Sequence, residues 1–220
     1  MVFGCYPEVH KLTTDPQRKD YLNEIVNSYL LKDILVFENI HNASRVFDLL
    51  RLVAFQVGQL VSYNELGKQL SMSKNTVEKY LDLLSKVFVL FRVGGYSRNL
   101  RKEVVKNSKW YFFDNGIRNA VIASLQPLNL RNDVGQLWES YAITERLKHQ
   151  GKVGMTSNNF FWRTYDQQEI DWVEERDGRL FAYEMKWSEK KIKAPAAWTK
   201  AYPESSFETI TPSNLTALTS

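Results

Sequence analysis

The sequence predicts an α+β chain built in two parts, a helical N-terminal part and a C-terminal α/β part. Three observations carry that expectation. Up to about residue 90, apolar residues recur at three- and four-residue steps, the period of amphipathic helices. Between Phe88 and Phe113, two β-rich runs follow a short helix, a tight turn and a longer helix. From Trp162 to Trp187, two further β-rich runs meet at Asp177-Gly178, the strongest short hairpin signal a sequence offers.

Composition bounds the function classes. With 220 residues, 44% hydrophobic and 13% aromatic, the chain can fill one large core or two small ones, which argues against disorder. The single Cys5 excludes an internal disulfide framework, and the scattered His10, His41 and His149 offer no zinc-ligand spacing. No apolar run approaches the roughly 20 residues needed to span a bilayer, and no basic-then-apolar leader is present. The expected setting is a reducing cytoplasm, with no membrane partner. The net charge of +4 is segregated: residues 41–120 carry 13 Lys and Arg against 6 Asp and Glu, residues 1–40 carry 4 against 6, and residues 121–220 carry 12 against 13. A basic middle segment is either a solvated face or a surface for a polyanion such as DNA.

In chain order, Asp15 can cap a helix that runs to about Val36, with Pro16 in its first turn and Tyr21, Leu22, Ile25, Tyr29 and Leu30 as its stripe. A second helix is expected from Ala43 to Val57, with Val46, Leu49, Leu50, Val53 and Ala54 inward and Gly58 ending it. Residues 62–70 read as a short helix, Ser71-Met72-Ser73 as a turn, and Lys74 to Val87 as a longer helix capped by Ser73. That is helix-turn-helix spacing, and it places Lys74, Asn75, Thr76 and Lys79 where such motifs contact DNA. Strands at Phe88–Val93 and Lys109–Phe113 flank a basic loop carrying Arg98, Arg101 and Lys102, which completes a winged-helix pattern over residues 41–124. The alternative is a winged helix used for protein contacts or spacing. A boundary is expected around Pro127. After it, Asp133 and Gln136 resemble a capping box for a helix packing Val134, Leu137, Trp138, Tyr141 and Leu147 inward, in a domain spanning 125–220. By spacing, Glu139 faces solvent beside that stripe.

A two-residue Asp177-Gly178 turn pairs Arg176 with Arg179, Asp171 with Glu184, and Glu169 with Lys186. One face then carries Glu169, Asp171, Val173, Ala182, Glu184 and Lys186. The other carries Ile170, Trp172, Phe181, Tyr183, Met185 and Trp187, and reads as core. Glu169 opposite Lys186 is an ordinary ion pair. Asp171 opposite Glu184 is different, because like charges facing each other cost roughly 0.2 to 1 kcal/mol. The pair asks for a cation such as Mg2+ between them or for a raised pKa, with Lys186 placed to orient a water and neutralise a phosphate. The alternative is a charged sheet surface.

Gly135-Gln136-Leu137-Trp138-Glu139, Trp162-Arg163, Glu169-Ile170-Asp171 and Glu184-Met185-Lys186 resemble, in that order, the motifs of the PD-(D/E)xK nuclease superfamily. The branch they are most similar to is the domain of unknown function that follows a predicted AAA-type ATPase domain in many prokaryotic proteins. The resemblance implies a nuclease-like α/β fold over residues 125–220. It implies Asp171 and Glu184 as ligands of Mg2+, Lys186 assisting the nucleophile, and Glu139 as a third acidic residue. Arg163 could steady a phosphate or form a structural salt bridge. Gly4-Cys5-Tyr6-Pro7-Glu8-Val9 resembles the segment closing the ATPase domain, so residues 1–40 are expected to be its remnant and linking helix. No phosphate-loop motif occurs, and no ATP site is expected in this chain. The expected partners are DNA and an upstream ATPase domain of a longer parent protein. The expected function is a DNA-binding, Mg2+-dependent nuclease-like module, with a non-catalytic DNA- or protein-binding platform as the alternative.

Overall fold

The stripes read from the sequence become helices wherever the computed structural model describes the chain, at residues 1–30, 43–97 and 108–219. The fold is mixed α+β. The described residues divide into two units, Met1–Arg92 with Trp110–Asp133, and Val93–Lys109 with Val134–Ser220. The expected divisions stand at residues 41 and 125.

In the first unit, α1 (Pro7–Lys11) is followed by α2 (Asp15–Glu24) and a π-helical turn, Ile25–Leu30. The cap of α2 is Thr14, not the expected Asp15. Thr14 Oγ1 accepts the Gln17 N–H at 3.4 Å and Gln17 Oε1 accepts the Thr14 N–H at 3.2 Å, a reciprocal capping box. Asp15, one residue inside, pairs with Arg18 at 2.8 Å. The expected continuation of this helix past Leu30 lies outside the described residues.

Helix α3 (Ala43–Phe55) buries the whole expected stripe from Val46 to Ala54, and Gly58 adopts φ +74° just beyond it. Strand β1 (Leu60–Val61) leads into α4 (Tyr63–Gln69) and α5 (Lys74–Lys86), capped by Ser62 and Ser73, whose hydroxyls accept the N–H groups of Glu65 and Thr76. The turn between the two helices needs glycine: Met72 N–H donates to the Gly67 carbonyl at 2.8 Å, and a Cβ on Gly67 would sit 2.7 Å from the Met72 carbonyl oxygen. Strands β2 (Leu90–Gly95) and β3 (Ser108–Phe112) give the order β1-β3-β2.

Helix α6 (Asn115–Val121) was not expected from the sequence. Asp114 nucleates it, with Oδ1 accepting the N–H groups of Gly116 at 2.7 Å and Ile117 at 3.2 Å, while its Oδ2 accepts the Cys5 N–H at 2.6 Å. Val9, Leu22 and Val26 share one core with α3, α5, Trp110, Phe112 and Ile117. Residues read as a leading remnant therefore help to build this unit. Asp133, expected as a cap, ties Arg118 (2.5 Å) and Arg131 (2.8 Å) together.

The second unit holds α7 (Val134–Val153), β4 (Asn158–Arg163), β5 (Glu169–Arg176), β6 (Arg179–Met185), α8 (Ala196–Ala201), β7 (Ser206–Ile210) and α9 (Thr216–Thr219). Its strand order is β2-β4-β5-β6-β7. The end of β2 runs parallel to β4, the two hairpin pairings are antiparallel, and β7 runs parallel to β6. The predicted register holds from the turn to Trp172: Arg176 faces Arg179, Val173 faces Ala182, and Trp172 faces Tyr183. Beyond it β5 carries one extra residue against β4, with Phe160 facing Val173 but Trp162 facing Ile170, and Ile170 joins Val173 and Ala182 in one core instead of lying on the opposite face.

The face that alternation marks as charged is itself partly core. Val173 and Ala182, placed on the charged face, pack with Trp198 of α8 and with Tyr202 just after it. A second layer covers the side that alternation alone left to solvent. No helix among the described residues is long and apolar enough to cross a membrane.

Candidate acidic site

Asp171 of β5 and Glu184 of β6 lie close enough for their charges to interact, and both are 8% exposed. Asp171 Oδ2 accepts the backbone N–H of Met185 at 2.9 Å, which locks the carboxylate across the ladder. Glu184 Oε1 accepts from Lys186 Nζ at 2.7 Å. Glu184 Oε2 is buried and has no hydrogen-bond partner among the described residues. A buried carboxylate oxygen left unsatisfied is costly unless the group is protonated or meets a cation.

The cation expected between the carboxylates has a counterpart that the sequence reading missed. Lys109 of β3 is 1% exposed, and its ammonium lies 2.5 Å from Glu169 Oε1, 3.4 Å from Glu139 Oε1 and 3.7 Å from Asp171 Oδ1. Its stem carries the charge over the Phe161 ring at 5.6 Å. Glu169 is therefore paired with Lys109 and with Arg163 (3.3 Å), not with Lys186 as cross-strand geometry implied. Glu139, read by spacing as solvent-facing, turns its side chain inward and is 15% exposed there. Apolar periodicity describes only where Lys109 sits on its strand. Nothing local marks the ammonium as the partner of carboxylates 30 to 62 residues away.

The electrostatics follow from burial and charge. Burial pushes the Asp171 carboxyl above its ordinary value, against the pull of Lys109, the Met185 N–H and Lys186. Burial, then the Asp171 charge, pushes Glu184 up to about 7, against the Lys186 hydrogen bond. Burial alone would depress Lys109, but Glu139, Asp171 and Glu169 together raise it well above the usual lysine value. Lys186 is raised in the same way, burial being outweighed by its bond to Glu184 and by the nearby carboxylates.

A divalent ion at Asp171 and Glu184 fits the orphaned Glu184 oxygen. Among the described residues no group of three or more His, Cys, Asp or Glu is arranged to hold a metal. An ion here would rest on two carboxylates and water, a set that Mg2+ accepts.

A second buried charge cluster was also invisible to the sequence reading. Glu174, on the face read as apolar, is fully buried and receives Arg146, Gln150 and Trp172. Helical spacing gives a hint, since Arg146 and Gln150 stand at i and i+4 on α7.

The residues expected to contact DNA divide in two. Lys74, Asn75, Thr76 and Lys79 lie on the first turns of α5; Lys74, Asn75 and Lys79 are exposed and Thr76 is half-buried, its hydroxyl 2.8 Å from that of Ser73. Arg98, Arg101 and Lys102 lie outside the described residues.

Two family models match the chain, one described as Domain of unknown function (DUF8612) over residues 1–132 and one as Domain of unknown function (DUF4143) over residues 134–211. An uncharacterized protein of Haemophilus influenzae is 27% identical over 125 residues, covering 54% of this chain and 31% of that protein. Uncharacterized proteins of Mycobacterium bovis and Mycobacterium tuberculosis are each 27% identical over 139 residues, 61% of this chain and 30% of theirs. The chain thus spans under a third of the length of these curated relatives. No solved structure matches it.

Proposed function

The chain belongs to the family described as Domain of unknown function (DUF8612), and from that premise and the acidic site we propose that it is the DNA-binding, nuclease-like C-terminal portion of an AAA-type ATPase family protein. The second matched family often stands next to AAA ATPases, which supports the ATPase link. The carrying observation is the Glu184 carboxylate, buried beside the charge of Asp171, with one oxygen orphaned while the other holds Lys186.

In this reading residues 41–124 form a winged helix that meets phosphates through Lys74, Asn75, Thr76 and Lys79 and through Arg98, Arg101 and Lys102. Residues 125–220 form the PD-(D/E)xK-like catalytic domain. Asp171 and Glu184 would hold Mg2+, which when bound lowers the pKa of water and neutralises charge at a phosphodiester. The Met185 N–H fixes Asp171 through Oδ2, and Oδ1 faces the Lys109 ammonium at 3.7 Å. The Lys186 side chain, 39% exposed and anchored on Glu184, is the donor able both to orient an attacking water and to meet charge developing on the phosphate.

A second reading has its own observation. Lys109 already compensates Glu139, Glu169 and Asp171, which suits a nuclease-like fold kept as an inactive binding platform.

The test is DNA cleavage with Mg2+ or Mn2+ alongside melting temperature. The catalytic reading expects both ions to raise the melting temperature, Asp171→Asn and Glu184→Gln to abolish that shift, and Lys186→Ala to keep much of it while removing cleavage. No metal-dependent shift and no cleavage by the unmodified chain would leave only the platform.

A further inference from the structure

Lys109 is an unusual residue to find at the centre of an acidic cluster. A lysine side chain only 2% exposed has no route by which to snorkel its charge to water. It is held by three carboxylates from two elements: Glu139 of α7, and Glu169 and Asp171 of β5. The Phe161 ring closes one side at 5.6 Å. Its ammonium therefore supplies the positive charge that these carboxylates meet.

We infer that Lys109 is a tethered counter-cation that takes the second cation position of the acidic site, so that the site accepts one divalent ion, on Asp171 and Glu184, rather than two. This rests on the metal reading above and deepens it. Lys109 engages Glu139, Glu169 and Asp171 Oδ1, and Arg163 adds a further charge on Glu169 at 3.3 Å. The acidic oxygen it leaves unpartnered is Glu184 Oε2, whose residue is buried beside Asp171. A fixed ammonium cannot exchange with solvent cations, so it also sets how much negative charge an incoming ion meets. Lys109 is a positioning residue in this scheme: it orients three carboxylates and touches no reacting atom.

The experiment is calorimetric titration of Mn2+ into the full chain, with circular dichroism as the check on folding. The unmodified chain is expected to bind one ion. Lys109→Met removes the charge at nearly constant volume and is expected either to add a second Mn2+ or to tighten binding at least about tenfold. One ion bound with unchanged affinity by a folded Lys109→Met overturns the inference. If that variant is unfolded without metal, refolding on Mn2+ addition supports the inference and failure to refold overturns it. Glu169→Gln supplies an independent arm: it keeps Lys109 but removes its shortest partner, releasing the ammonium toward Asp171, and should weaken Mn2+ binding about tenfold. Equal or tighter binding by Glu169→Gln overturns the inference. If the unmodified chain binds no Mn2+, the metal reading fails by itself, and Lys109 is then judged on Lys109→Met alone: newly gained binding supports its place as the cation, and no gain overturns it.

Discussion

Replacing Glu174 by glutamine should cost the second unit more than any other single isosteric change among its described residues. Glu174 is fully buried, and Arg146 reaches it with Nε 2.6 Å from Oε1 and a terminal nitrogen 2.8 Å from Oε2. Gln150 Nε2 and Trp172 Nε1 also donate to Oε1, at 2.8 and 2.9 Å. Arg176 Nε lies 3.0 Å from Oε2 but is out of hydrogen-bond alignment, so that contact is electrostatic only. Glu174→Gln keeps the shape, removes the charge, and turns an NH2 group toward the donors that now converge on the carboxylate. Breaking a buried pair by neutralising one partner costs about 3 to 5 kcal/mol, because the remaining charge stays desolvated. Urea unfolding followed by tryptophan fluorescence is the assay, since Trp172 is itself a donor to the carboxylate. The double variant Glu174→Met with Arg146→Met should recover much of the loss, as apolar replacements of buried pairs do. A loss under about 1 kcal/mol in Glu174→Gln, or a double variant no better than the single, would refute the reasoning.

Three other expectations are open to direct measurement. Glu184 is raised in the folded chain, so below its unfolded pKa both states hold the proton, and as pH climbs toward about 7 only the folded state retains it. Stability should therefore fall by roughly 3 kcal/mol between about pH 4.5 and pH 7, with Asp171 shifted in the same sense, and Glu184→Gln should flatten that slope in urea titrations run with a chelator. DNA affinity, measured by fluorescence anisotropy, should fall steeply with salt; Lys74→Ala and Lys79→Ala should each reduce the log–log salt slope by about one, and an unchanged slope would assign α5 a structural role. Gly67→Ala places a Cβ 2.7 Å from the Met72 carbonyl, so the turn between α4 and α5 must move at a cost of about 1 to 3 kcal/mol in thermal or urea unfolding.

The sequence by itself determined the elements whose causes are local. The stripe of α3, the Ser73 cap, the Ser71-Met72-Ser73 turn between α4 and α5, and the hairpin register from Asp177-Gly178 back to Trp172 all depend on neighbours a few residues apart. The carboxylates of Asp171 and Glu184 meet just past that register, where the extra residue of β5 breaks the alternation that the sequence implied. Tertiary structure decided the rest. Helix α6 exists because Asp114 caps it while its other oxygen holds Cys5, which is 109 residues away. Tertiary packing turned Glu169 to Lys109 instead of Lys186 and buried the hairpin face that alternation left to water. It also drew Arg146 onto Glu174. A charged side chain carries its Coulomb field in every direction, so periodicity can place its backbone but cannot choose its partner. That choice follows only when desolvation in a packed core leaves each buried charge no alternative to the opposite one beside it.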